Sequence, residues 1–135
     1  MKKKLEINHV SGGRMSNWND QTNYLKNAMY LMTIEDFDVT EFVVLLKSDN
    51  PHVNFHISVV STPQGNRPDF ILPQMIVSNS GDYRSQLCFC SGNVASGNKQ
   101  SAHLVIIVST WEVDESCPFK LVVKSKEYPF TLKKI

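Results

Sequence analysis

The chain has 135 residues, of which 41% are hydrophobic, enough for one domain spanning 1–135 that buries roughly two thirds of its unfolded surface. Its longest apolar runs, among them Phe42 to Leu46 and Leu104 to Val108, fall far short of the roughly 20 residues that a membrane-spanning helix needs. Net charge is +1, but Lys2, Lys3, Lys4, Lys133 and Lys134 sit near the two ends; without them nine basic residues face thirteen acidic ones, a body charge of −4. No stretch between residues 5 and 132 supplies the basic stripe that releases counterions from a phosphate backbone, so nucleic acid is not an expected partner. The terminal lysines read as solvated chain ends, with contact to an anionic surface as the alternative.

Met1-Lys-Lys-Lys leads into Leu5-Glu-Ile-Asn-His rather than an apolar h-region, so no signal peptide is expected. There is no Asn-x-Ser/Thr acceptor, and the cysteine count is three, an odd number. A reduced cytosolic setting is the expectation.

In chain order, strands are expected at about 5–10, 27–34, 41–48, 53–60, 70–77, 83–90, 103–109 and 117–132, the last split near Glu127. Val53, Phe55, Ile57 and Val59 alternate with Asn54, His56 and Ser58, the period-2 pattern of a half-buried strand. Phe119, Leu121 and Val123 alternate in the same way, as do Tyr128, Phe130 and Leu132. Phe42 to Leu46 and Leu104 to Val108 are apolar on both sides, which predicts central strands covered on two faces. Turn-formers such as Ser48-Asp-Asn-Pro51, Asn79-Ser-Gly-Asp82 and Asp114-Glu-Ser116 recur roughly every dozen residues, the spacing of an all-β sandwich. Asn23 to Ile34 is ambiguous. Leu25, Ala28, Met29 and Met32 stand at helical spacing behind polar Asp20 and Thr22, while Ala28, Tyr30, Met32 and Ile34 alternate; local physics leans to helix.

A family pattern covers most of the chain. Val10-Ser-Gly-Gly13, Trp18 and Asn27-Ala-Met-Tyr30, then Phe42-Val-Val-Leu-Leu-Lys, Ser78-Asn-Ser-Gly-Asp-Tyr-Arg84, His103-Leu-Val-Ile-Ile-Val-Ser-Thr-Trp111 and Cys117-Pro-Phe-Lys-Leu-Val-Val123 together resemble the calpain-type β-sandwich, the C2-like domain that follows the protease core. The order and spacing hold from about residue 9 to 135. Ala28-Met29 stands where the family has Pro-Gln, and Val108 where it often has Pro. The closing Glu127-Tyr-Pro-Phe-Thr-Leu-Lys-Lys-Ile is similar to the end of PalB-like calpains. The resemblance implies an antiparallel sandwich of about eight strands and tips Asn27 to Ile34 to strand. It further implies a noncatalytic docking or regulatory domain of a cytoplasmic thiol protease of ambient-pH signalling. Its partners would be the protease core, an endosomal ESCRT-III subunit or a substrate precursor.

The motif residues read as scaffold. Gly12 and Gly13 allow a sharp entry into a sheet, and Trp18 and Trp111 would each bury on the order of 200 Å² between sheets or at a sandwich end. Ser109 and Thr110 would bond the backbone of the following turn. Asn27, Tyr30 and Phe119 complete the set. Catalysis is not expected of this chain. Leu87-Cys-Phe-Cys90 places two thiols on one strand face, suited to packing; Cys117 and the histidines His9, His52, His56 and His103 fall in no protease-like segment. One Cys-x-Cys is weak as a zinc knuckle. Glu35, Asp36, Asp38 and Glu41 are the calcium candidates, with Glu112, Asp114 and Glu115 a second acidic patch. The alternative function is accordingly a C2-type, calcium-dependent phospholipid-binding module in peripheral contact with a membrane.

Overall fold

The computed structural model describes residues 2–35, 37–96 and 101–135, and the side chains of residues 8–10 are left out of the description. Among the described residues the chain forms ten strands and three short 3-10 turns, with no α-helix. The strands are β1 (Lys2–Val10), β2 (Met29–Glu35), β3 (Val39–Lys47), β4 (Asn54–Ser61), β5 (Ile76–Asn79), β6 (Arg84–Ser85), β7 (Leu87–Ala95), β8 (Ser101–Thr110), β9 (Ser116–Ser125) and β10 (Phe130–Lys134). They make two antiparallel sheets, one ordered β1-β9-β3-β7 and the other β10-β2-β8-β4-β5, with β6 beside β4. This is the all-β sandwich that the alternation predicts.

The layers meet through the side chains that alternate inward. Phe42, Val44 and Leu46 of β3 and Phe119, Leu121 and Val123 of β9 face Phe55, Ile57 and Val59 of β4 and Leu104, Ile106 and Val108 of β8 across one core. The rings of Phe55 and Phe119 pack edge to face at 5.4 Å. Register across the first sheet keeps every inward row aligned, with Leu46 opposite both Cys88 and Leu121, because slipping one residue would turn the apolar set to solvent.

Most expected strands lie within two residues of the observed ones, and the last divides, as expected near Glu127, into β9 and β10. The ambiguous segment is strand from Met29, preceded by a 3-10 turn at Tyr24–Lys26. Its tertiary pairing with β8 and β10 overrides the helical spacing, and even-numbered residues enter the main core while Met29 and Leu31 enter a second cluster. The strand expected at 70–77 is instead loop and a 3-10 turn at Pro73–Met75, with strand only at Ile76–Asn79. Pro68 and Pro73 withhold ladder donors there. The strand expected at 83–90 breaks at Gln86, which has a φ of 65°, into β6 and β7.

The two fully apolar runs fare differently. β8 is buried on both faces, because a second cluster of Tyr24, Met29, Leu31, Val60, Ile71, Val105 and Ile107 covers the outer side of the larger sheet. β3 lies mid-sheet as expected, yet only one of its faces is covered: Val43 is 37% and Val39 58% exposed. Among the described residues no hydrophobic cluster covers that side.

Candidate functional site

Residues 11–28 and 62–75 supply the cover on the larger sheet, and polar side chains fasten them. Ser11 and Asn27 are both buried. Asn27 Oδ1 accepts from Ser11 Oγ at 2.8 Å and from the Gly12 N–H at 2.9 Å. Its Nδ2 donates to the carbonyls of Gly13 and Tyr24, each at 2.9 Å. Ser11 Oγ in turn accepts from the N–H groups of Gly13 and Thr110, at 2.9 and 3.0 Å. Every donor and acceptor of the Asn27 amide and of the Ser11 hydroxyl is thereby used. The main chain of Ser11 also accepts from Asp114 N–H and donates to Glu115, so the knot joins residues 11–13, 27 and 110–115.

The glycines are sterically required. A Cβ on Gly12 would stand 2.0 Å from the carbonyl oxygen of Asn23, and Gly13 has a φ of +87° against the backbone of Val113. Thr110 Oγ1 donates to the Glu112 carbonyl at 2.7 Å, the turn bond expected of it. Ser109 takes another partner, the Tyr83 hydroxyl at 2.7 Å. Phe119 is core, while Tyr30 is buried with a hydroxyl that finds no partner among the described residues.

Two further side chains bind the covering loops together. The amide of buried Gln21 accepts from Ile71 N–H at 2.6 Å and donates to the Ile71 carbonyl at 2.8 Å. The Arg67 guanidinium donates to the carbonyls of Leu25, Asn27 and Ile135. Sequence reasoning missed both, since neither stands in a local pattern.

Between the loops opens a pocket of about 480 Å³ whose walls include Arg14, Trp18, Tyr24, His56, Tyr83 and Trp111, a volume in the range of small-ligand sites. Trp18 and Trp111 remain 45% and 44% exposed, so of the two places expected for them, between the sheets or at a sandwich end, the first is excluded. They stand at the rim of the outer-face pocket, because the inter-sheet space is already filled by aliphatic and phenylalanine side chains. Arg14 lies over the Trp111 ring at 4.0 Å and donates to the Trp111 carbonyl at 2.6 Å. Tyr83 meets Trp111 edge-on at 5.3 Å and stacks on His56 at 4.9 Å. Burial lowers the His56 pKa below its ordinary 6.5, favouring neutral imidazole at pH 7, and raises the phenols of Tyr24 and Tyr83. The signal for His56 was its polar place in an alternating strand, which puts it on the outer face beside Ser109.

The thiols lie elsewhere. Cys88, Cys90 and Cys117 are free and buried, the first two in the inter-sheet core with thiols pushed by burial up to about 12 and about 11. A protonated, enclosed thiol is a packing group rather than a nucleophile. Of the calcium candidates, Glu35 closes β2, Glu41 lies on β3 paired with Lys126 at 3.9 Å, Asp38 precedes β3, and Asp36 lies outside the described residues. Among the described residues no three His, Cys, Asp or Glu side chains gather as a metal site. Glu115 is turned instead onto the Glu112 N–H at 3.0 Å. No described helix is long and apolar enough to cross a membrane.

Fold and site define an antiparallel β-sandwich with a braced, aromatic-rimmed pocket on its larger sheet. No protein-family model matches the chain, and no curated protein matches it.

Proposed function

We propose that the chain is a noncatalytic docking and regulatory domain of a PalB-like calpain, an intracellular thiol protease of ambient-pH signalling. In this reading it acts in the cytoplasm, orients the protease core, and holds an endosomal ESCRT-III subunit or the precursor that the core cleaves. The observation that carries the reading is the knot. Ser11-Gly12-Gly13, Asn27 and Thr110, picked out by resemblance from two distant parts of the sequence, meet in one buried set of hydrogen bonds. Their convergence is what supports the resemblance. The step from fold to function rests on analogy, supported by the inward placement of the thiols.

Pull-down of ESCRT-III subunits and of the precursor by the purified chain tests it, alongside precursor processing by a protease lacking residues 1–135. Capture of one partner and loss of processing are expected. Absence of capture together with normal processing overturns the reading.

A further inference from the structure

The uncovered face of the smaller sheet is sorted by chemistry across its strands. Three rows of outward residues follow the register across all four strands. Lys2, Lys124, Val43 and Ser91 form the first; Lys4, Val122, Leu45 and Phe89 the second; Glu6, Lys120, Lys47 and Leu87 the third. β1 and β9 thus carry most of the lysines, and β3 and β7 most of the apolar residues, with Ser91 and Lys47 at the two ends of that apolar stretch; Leu87 and Phe89 on it are 49% and 59% exposed. Glu6 and Glu41 on this face are each held by a lysine, Lys120 at 4.0 Å and Lys126 at 3.9 Å. Lys2, Lys4, Lys47 and Lys124 have no carboxylate partner among the described residues. The sequence reading set Lys2 and Lys4 aside as a solvated end; β1 instead lays them beside Lys120 and Lys124.

We infer that this face docks an acidic amphipathic helix of a partner protein. Two strands about 4.8 Å apart make an apolar track roughly 10 Å wide, the diameter of one helix. A helix laid along β3 and β7 buries its apolar stripe on Val43, Leu45, Leu87 and Phe89. Lysines border that track on the β9 side, so the helix flank turned that way must be acidic. A membrane lacks this fit, since the apolar side chains form one lateral half of a flat sheet rather than a tip ringed by base. The inference rests on the docking reading for its purpose and on the register for its geometry.

The test uses a fluorescent helical peptide of about 14 residues, roughly 20 Å long, with leucines on one face and glutamates on one flank. Controls are the same peptide with lysines for the glutamates, and phosphatidylcholine vesicles with and without phosphatidylserine. The full chain is expected to bind the acidic peptide and not the basic one, with binding weakened about tenfold or more by Phe89→Ser and by the pair Lys4→Glu and Lys124→Glu. All these positions are exposed, and far-UV dichroism checks that the variants keep the fold. Equal binding of both peptides, no binding, or binding only to phosphatidylserine vesicles overturns the inference. Partner capture that persists unchanged in these variants would sink this surface while leaving the docking reading intact; peptide binding without partner capture would do the reverse.

Discussion

Single residues hold this sandwich together where its ladders stop. Asn27 uses all four of its hydrogen-bonding positions on partners from residues 11 to 24, so Asn27→Ala leaves several buried groups unpaired at about 1–3 kcal/mol each. Urea unfolding should show a loss of at least about 2 kcal/mol, and a loss below half that would mean water replaces the amide. Tyr30 is the opposite case. Its hydroxyl is buried with no partner among the described residues, so Tyr30→Phe should stabilise the domain or leave it unchanged, by about 0–1 kcal/mol in the same assay. Titration adds a window. His56 has its folded pKa below the unfolded 6.5, so as pH falls through 6.5 the unfolded chain takes up a proton that the folded one refuses, and stability declines. Cys88 and Cys90 have folded values above the unfolded 9.0, so above pH 9 the unfolded chain loses protons first and stability declines again. Midpoints measured against pH should be highest between these limits, and His56→Phe should flatten the acid side alone.

Elements carry a second set of consequences. The loop at residues 62–75 is held by Gln21 and Arg67 rather than by strand pairing, so Arg67→Ala should speed amide exchange at Ile71 and its neighbours while β3 and β9 stay protected. Uniform acceleration across both sheets would show instead that the loop is part of the global unfolding unit. The acidic candidates include Glu35 at the end of β2 and Glu41 on β3, and Glu41 is engaged with Lys126. Calcium should leave the melting temperature unchanged; a site saturated at 100 times its Kd would add about 2.7 kcal/mol. Sequence patterning was most informative at this scale where a strand has one dry face. It placed β4, β9 and β10 because their alternation follows the pleat. It failed at residues 70–77, where Phe70 and Leu72 are 44% and 43% exposed. It missed the pocket because Arg14, His56 and Tyr83 are ordinary polar positions until three separate segments meet.

At the scale of the molecule, β1 pairs with β9 and β10 with β2, so residues near both ends close the two layers. Long-range pairing of this kind slows folding, and refolding followed by tryptophan fluorescence should take milliseconds to seconds. Fluorescence will report the pocket in particular, because both tryptophans stand at its rim. The sequence by itself determined the sandwich, the burial of the cysteines and the positions of most strands, since hydrophobic alternation at period 2 has few other solutions in water. Its motif residues were legible too, but as isolated glycines, an asparagine and a threonine with assumed local jobs. Only the tertiary structure joined Ser11, Asn27 and Thr110, carried the tryptophans to an outer rim, covered one face of β8 and left one face of β3 bare. Those outcomes depend on which strands become neighbours and where the covering loops fall, and contacts between distant residues leave no period in the chain for a sequence to display.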